Sequence, residues 1–312
     1  VLDVHRLRLL RELHRRGTIA AAAGTLGYSA SAVSQHLSLL EREVGVQLLE
    51  RVGRGVRLTP QALILVRHTD AVLDQLESAE AEVAASLTAI QATVRVACFQ
   101  TVMLTLVPAV LADLREKAPG LRIDVVQLEP ERALESLTVG DCDLVIVEEY
   151  PGQPVPRTAG VDRVDLGADR MRVALPPSMD GTRLTSLADL ADRRWVLEPP
   201  GSPPWRWTIT RCREAGFEPD VAFQTEDMLA HIELVLADQA VGVLPDLVWR
   251  GKPPRVPMVE LPGAAHRRLV ATTRRGSARH PAVVAVRRSF EGACRRFGIK
   301  PEGDGSAADD DG

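Results

Sequence analysis

Residues 18–60 read TIAAAAGTLGYSASAVSQHLSLLEREVGVQLLERVGRGVRLTP, and the placing of their glycines and hydroxyl residues sets the fold of the N-terminal region. Thr18 is an N-cap for a short alanine-rich helix, Ile19 to Leu26, which stops at Gly27. Ser29 caps the next helix, in which Val33, Leu37, Leu40 and Val44 recur at helical spacing before Gly45 closes it. Upstream, residues 3–16 place Val4, Leu7, Leu10 and Leu13 on adjacent turns, with Leu9 widening the stripe, and end at Gly17. Three short helices with a glycine turn between the second and third follow the helix-turn-helix plan. Downstream, Gly53 and Gly55 flank Arg54 between the β-formers Val52, Val56 and Leu58, which predicts a small hairpin, or wing.

Thr59-Pro60 is a helix start, a capping hydroxyl followed by proline at the first helical position. From there to Gln91 no glycine or proline interrupts the chain. Val66, Leu73, Glu80 and Leu87 repeat every seven residues, and Thr69, Leu76, Val83 and Ile90 lie three later, an a/d seam with one charged intruder. A long core helix of one domain is the alternative. The alanines and charges at most other positions favour a coiled coil. The expected linker therefore spans 59–91 after a head of 1–58, with Val66, Leu73, Leu76, Val83 and Leu87 as dimer contacts.

Beyond Thr93 strands and helices alternate: VRVAC at 94–98, a helix through Leu114, a strand over 121–128, a helix over 131–139 and DLVIV at 143–147. Strands at 171–175, 195–197, 221–223, 241–244 and 269–273 follow, with helices over 226–237 and 282–297. The alternation implies a largely parallel sheet with ligand crevices outside the strand C-termini. Residues 92–300 suit two small α/β lobes better than one large sheet: lobe 1 at about 92–165 and 266–300, lobe 2 at about 166–265. The stretch Pro199 to Pro204 reads as a loop. Residues 301–312 have no large apolar side chain and read as a disordered acidic tail.

With 312 residues, 45% hydrophobic and 26% charged, the chain is long enough for about two globular domains, which excludes wholesale disorder and fibrous repeats. No apolar run approaches the ~18 residues of a membrane span. The charged N-terminal stretch lacks the apolar core of a secretory signal, so a cytoplasmic location is expected. Cys98, Cys142, Cys212 and Cys294 lie 44, 70 and 82 positions apart with no CxxC pair, which points to reduced thiols and no zinc ribbon. The net charge of −4 seems to argue against a nucleic-acid partner. Residues 1–60, however, hold nine arginines against five acids, a balance of +4. The remainder holds 29 basic against 37 acidic residues, or −8, and five of those acids crowd the last eleven positions. A basic head, a near-neutral body and an acidic tail are separate electrostatic objects.

Ala22-Ala23, Leu26, Ser31-Ala32-Val33-Ser34-Gln35, Leu40 to Val46, Leu48-Leu49, Arg51 and Gly53 to Pro60 together resemble the N-terminal region of LysR-type transcriptional regulators. The α/β remainder is similar in pattern to that family's inducer-binding domain. Leu49 stands where a phenylalanine is common in the family, and Gln61-Ala62 where Ala-Gly is usual. The resemblance implies a winged helix-turn-helix, a coiled-coil linker helix and a two-lobed, periplasmic-binding-protein-like α/β effector domain. It also implies a regulator that binds double-stranded promoter or operator DNA as a homodimer or dimer of dimers, with RNA polymerase as a possible further partner.

The residues argue for DNA independently. A recognition helix must present short hydrogen-bonding side chains near its N-terminus so that its backbone sits deep in the major groove. Ser29, Ala30, Ser31, Ser34, Gln35 and Ser38 do so. Gln35 is the candidate for a base edge, since a glutamine can bond adenine N6 and N7 together. Ser29 and Ser31 suit phosphate or a cap, and Ala30 a thymine methyl. Arg51 and Arg54 on the wing suit phosphate or minor-groove contact, while the strand of Arg57 could point it either way. In the body, helix N-termini after strands make an anionic effector the default. Gln100, Thr101 and Val102 follow the first strand in that way, and Thr225 and Glu226 follow the strand at 221–223. Glu148 could instead select a cation or pair with an arginine across the cleft. Trp205, with Trp207, could wall the pocket or belong to a lobe core.

Three rival readings fare less well. No G-x-S-x-G elbow, P-loop, HExxH or dinucleotide G-x-G-x-x-G appears, and histidines 5, 14, 36, 68, 231, 266 and 280 lack ligand spacing. An enzyme, a cofactor and a metal are therefore not expected. A small-molecule-binding protein without DNA function would not need the basic head. A redox-sensing regulator would use Cys98 and Cys142.

Overall fold

The computed structural model describes residues 1–53, 55–87, 91–155, 157–181, 183–249, 251–261 and 265–301. Arg54, Ile90 and the acidic residues from Glu302 onward, all singled out above, lie outside the described residues.

Local capping chemistry builds the head. Helix α1 (Val4–Arg16) is capped by Asp3, whose carboxylate accepts the backbone N–H of His5 at 2.8 Å and of Arg6 at 3.2 Å. Thr18 caps α2 (Ile19–Leu26) through the N–H of Ala21, and Ser29 caps α3 (Ala30–Val44) through that of Ala32. Gly27, at φ 69°, makes the left-handed turn between those two helices, a conformation that L side chains resist. The carboxylate of Glu41 accepts the N–H of Leu48 at 2.8 Å and of Leu49 at 3.1 Å, which fixes the turn from α3 into the wing strands β1 (Leu49–Val52) and β2 (Gly55–Leu58). Leu9, Leu10, Leu13, Ala22, Val33, Leu37, Leu40 and Leu48 form one core.

That core also takes Ala62 and Val66 from α4 (Pro60–Ala85), which corrects one expectation. Val66 is 5% exposed and packs inside its own head, so it is not available to a dimer seam. The helix also ends at Ala85, short of the expected residue 91, where Ser86 turns its hydroxyl back onto the Val83 carbonyl at 2.7 Å. Val72, Leu76, Val83 and Leu87 remain exposed, and Leu73 is half-buried. One flank of α4 lies against the body. The Arg274 guanidinium bonds Glu77 at 2.7 Å and Asp143 at 3.0 Å, and Gly276 comes so close that a Cβ there would sit 2.6 Å from the Asp74 carbonyl.

The body continues with β3 (Ala92–Cys98), α5 (Gln100–Lys117), β4 (Leu121–Gln127), α6 (Pro130–Val139), β5 (Leu144–Glu149) and β6 (Val161–Ala174). Then come β7 (Arg194–Leu197), α7 (Pro203–Glu214), β8 (Asp220–Gln224), α8 (Met228–Leu236), β9 (Gly242–Pro245), β10 (Met258–Glu260), β11 (His266–Arg274) and α9 (Pro281–Arg296). The main sheet runs β10-β6-β11-β5-β3-β4, with β9 also on β6. Strand β3 is parallel to β4 and β5, and β7 is parallel to β8. Strands β6 and β11, however, run antiparallel to each other and to their neighbours, so the expectation of a largely parallel sheet holds only for β5-β3-β4 and for the separate pair β7-β8.

These two long strands pass between two separate cores. One gathers Val96, Leu106, Ile146, Leu269 and Phe290, and the other Val173, Trp195, Leu197, Trp207 and Val241. Strand β6 begins ten residues before the expected 171. Its sequence breaks at Gly167, φ 128°, where a Cβ would lie 2.5 Å from the Lys300 backbone. The loop expected over Pro199 to Pro204 gives way to α7 at Pro203, where proline is tolerated in the first turn and Ser202 is the cap. No helix among the described residues is long and apolar enough to cross a membrane.

Candidate functional site

Two regions gather the expected functional residues. On α3 and its cap, Ser29, Ala30, Ser31, Ser34, Gln35 and Ser38 are all exposed, while Val33, Leu37 and Leu40 face the core. The Ser29 hydroxyl caps the helix and lies 3.0 Å from that of Ser31, so local bonds already engage both. Gln35 makes no side-chain hydrogen bond among the described residues and presents a free amide. On the wing, Arg51 is exposed, whereas Arg57 is held 2.8 Å from Glu50, its partner across the hairpin. Ion pairs also engage Arg6 with Glu43, Arg15 with Asp70 at 3.3 Å and Arg11 with Asp70 at 3.6 Å. The unpaired exposed charge on α3 and the wing is thus Arg42 and Arg51 among the described residues. Sequence reading passed over Tyr28. It is 41% exposed beside the α3 N-terminus, with its ring 5.5 Å from His5 and 6.2 Å from His36.

The second region lies between the two cores and centres on Arg267, which sequence reading missed. Strand β11 lies between β5 and β6, and this brings Glu148, Arg267 and Asp169 together. The guanidinium donates to Asp169 at 3.0 Å, to the Glu148 carboxylate and to the Thr101 hydroxyl at 2.8 Å, and lies over the Phe99 ring at 5.1 Å. All three charged side chains are nearly fully buried. Burial opposes the guanidinium's charge, but Glu148 and Asp169 outweigh it and raise its pKa. Around this group opens a cleft of about 620 Å³, its mouth included, lined also by Gln100, Glu129, Glu131, Tyr150, Glu198, Ser202, Glu226 and Met228. Burial, reinforced by Glu148, pushes the Glu129 carboxyl up to about 7 and that of Glu198 up to about 8.

The expected effector residues meet different fates. Val102 is fully buried in the core, a correction to its assignment as a ligand contact. Thr101 is committed to Arg267, and Glu148 takes the arginine-pairing alternative. Thr225 is absent from the cleft lining. Its hydroxyl accepts the Asp227 N–H at 3.1 Å, and its carbonyl accepts from the buried His231, whose pKa burial lowers. Trp205 packs against the second core instead of lining the cleft, because α7 turns it inward; Trp207 is buried 5.7 Å from the Tyr150 ring. The missed Glu129 and Glu198 each directly follow an expected strand, so the positional rule that selected Gln100 could have found them. No such signal existed for Arg267.

Gln100 acts as a clasp between the lobes. Its amide donates to Asp227 at 2.8 Å, and its oxygen accepts the Met228 N–H at 2.7 Å, which joins the N-terminus of α5 to that of α8. The same amide holds the Asp227 carboxyl below its ordinary range. In Gln100→Ala the Met228 amide should exchange with solvent about fivefold faster, since one hydrogen bond contributes about 1 kcal/mol. Unchanged exchange at Met228 would remove the clasp.

All four cysteines are buried and free. Burial pushes Cys98, Cys212 and Cys294 up to about 12, and raises Cys142 as well. Alkylation of Cys98, Cys212 and Cys294 in the native chain at neutral pH is expected to run about a thousandfold slower than in urea, because the thiolate is the nucleophile, with Cys142 slowed as well. A single fast thiol would contradict the placement of that residue.

Residues 4–63 match the family described as bacterial regulatory helix-turn-helix protein, lysR family, and residues 88–295 match the LysR substrate binding domain. A probable hydrogen peroxide-inducible genes activator of Mycobacterium avium is 31% identical over 242 residues, 77% of this chain and 76% of its own length. A full-length OxyR from Pseudomonas aeruginosa shares the fold with a TM-score of 0.63 at 20% identity, over 93% of this chain and 95% of that one. Full-length CbnR in complex with its target DNA has a TM-score of 0.52 at 23% identity, over 92% of this chain and 99% of that one.

Proposed function

The chain belongs to the LysR family of DNA-binding transcriptional regulators, and from that premise we propose which of its parts perform each task. Helix α3 enters the major groove with Ser34, Gln35 and Ser38 toward base edges, and with Ser29, Ala30 and Ser31 toward the backbone and thymine methyls. Arg51 and its neighbours on the wing meet phosphate or the adjacent minor groove. The cleft around Arg267 holds a small-molecule effector. The head spans residues 1–58 and the body 92–300, with α4 between them. The observation that carries this reading is the exposed face of α3, where short polar side chains stand clear of the core while unpaired arginines flank them.

Two copies pair through the exposed apolar residues Val72, Leu76 and Val83 of α4 and Leu87 just beyond it, which a single chain leaves in water. CbnR, a structural neighbour, has been solved bound to its target DNA. A paired regulator sets two recognition helices on one face of the duplex, so half-sites should lie about one helical turn, ~10 bp, or a multiple of it apart. Footprinting on the DNA upstream of the chain's own gene tests this, with two protected segments as the expected result. One isolated half-site would contradict the pairing. Peroxide sensing, suggested by the name of the Mycobacterium avium relative, finds no support in the buried high-pKa thiols of this chain.

A further inference from the structure

We propose that the cleft takes a small organic cation, an amine or a guanidine, with Glu198 and Glu129 as its counter-charges. This rests on the reading of the cleft as the effector site and specifies the chemistry of the effector. The first argument is charge. Glu129, Glu131, Glu148, Glu198 and Glu226 line the cleft, and Arg267 is its only lining cation among the described residues. That cation is already matched by Glu148 and Asp169. Arg206 lines the adjoining cavity, bonded to the Gln153 side chain and the Gly201 carbonyl.

The second argument is the lack of a partner. Glu198 directly follows β7 and lines the cleft half-buried, and its carboxylate bonds no other residue among those described. A carboxylate that faces a cavity in this way has acceptor capacity left for a donor on the ligand. The third is the fate of the groups that would favour an anion. At the α5 N-terminus the Gln100 amide is already given to Asp227, and the Thr101 hydroxyl is held as an acceptor by Arg267. Tyr150, Pro203 and Met228 complete the wall, and these are surfaces that suit an alkyl chain or the face of a cation.

The charge state gives the proposal a sign. Glu198 faces Glu148 from β5, Arg267 from β11 and Glu129 from the start of α6; Glu129 faces Glu148, Glu226, Glu131 and Arg267. With their pKa values near 8 and near 7, these acids are partly protonated at neutral pH. A bound cation lowers both, so binding releases protons and tightens as pH rises toward 8. A ligand that accepts hydrogen bonds from the protonated acids would show the opposite slope.

The test is calorimetric titration of the full chain at constant ionic strength. Butane-1,4-diamine and propylguanidine are compared with butanedioate and benzoate, each at pH 6.5 and 8.5. The expected result is binding of the cations with a Kd about tenfold tighter at the higher pH. Glu198→Gln should weaken it by about tenfold or more and flatten the pH dependence. If that variant does not fold, Glu129→Gln supplies the same comparison. Binding of either carboxylate without the amines would overturn the cation and leave the cleft as the effector site. Binding of neither cation up to about 10 mM, or an unchanged Kd in both variants, would also overturn it. The DNA footprint with and without a bound probe is a separate readout and tests the effector reading itself.

Discussion

Arg267→Met should destabilise the α/β body by about 3–5 kcal/mol, the effect expected when one partner of a buried ion network is removed. The guanidinium is 2% exposed, Glu148 is 7% and Asp169 is 2%, so solvent does little to screen the loss. Methionine approximates the volume of the arginine stem but leaves two carboxylates facing apolar surroundings, and the Thr101 hydroxyl loses its donor. The deficit should depend on pH. Burial already pushes both carboxyls upward, and without the arginine only the Leu247 N–H on Asp169 and the Tyr150 hydroxyl on Glu148 still oppose that push. An acid whose pKa is raised by folding costs nothing below its unfolded value and costs progressively more above it. The variant should therefore be nearest to wild type below about pH 4 and lose stability as pH rises through the range above. Urea unfolding across pH measures this. Adding Glu148→Gln and Asp169→Asn to the variant should recover most of the loss. A deficit under about 1 kcal/mol in the single variant would contradict the network's role.

Gln35→Ala should weaken binding to the footprinted site by about 1–3 kcal/mol, roughly a factor of 5 to 150, and leave random DNA unaffected. The reasoning is geometric. Gln35 is exposed on α3 one helical turn from Ser31, its amide is free, and Val33 and Leu37 on either side seat the helix on the core of the head. Removing a bidentate amide deletes sequence information but no charge, so the salt dependence should stay put. Arg51→Ala supplies the contrast: it should weaken specific and random DNA alike and lower the salt slope by about one. Equal losses on both DNAs from Gln35→Ala would place that residue away from the base edges.

How legible each part was depends on how far its determinants lie apart in the chain. The head could be read almost residue by residue, since Thr18 and Ser29 cap helices whose other ends Gly27 and Gly45 mark, and Thr59 marks the start of α4. The heptad pattern of α4 was real but ambiguous: Val66 and Val83 belong to the same seam, yet one is buried in the head and the other is 66% exposed. Spacing alone does not say which neighbour a face will meet. In the body, the strand-end rule found Gln100, Glu148 and Glu226 near the cleft but also selected Val102, which faces the core. Of the Arg267 group only the Glu148 side was legible, as a carboxylate that could pair with an unidentified arginine. The group's members come from β5, β6 and β11, strands joined by distant parts of the sequence, and only the strand order brings residues 148, 169 and 267 together. The acidic character of the cleft follows from that order, which is why helix N-termini alone suggested an anion.

Sequence-specific recognition by the head is the central claim, and the most direct test is binding of the intact chain to its footprinted duplex and to a scrambled duplex of equal length, each across a series of salt concentrations. Similar salt slopes are expected for both, because the arginines meet phosphate in either case, with the footprinted duplex bound about a thousandfold or more tightly at physiological salt. Equal affinity for the two duplexes at every salt concentration would contradict the account.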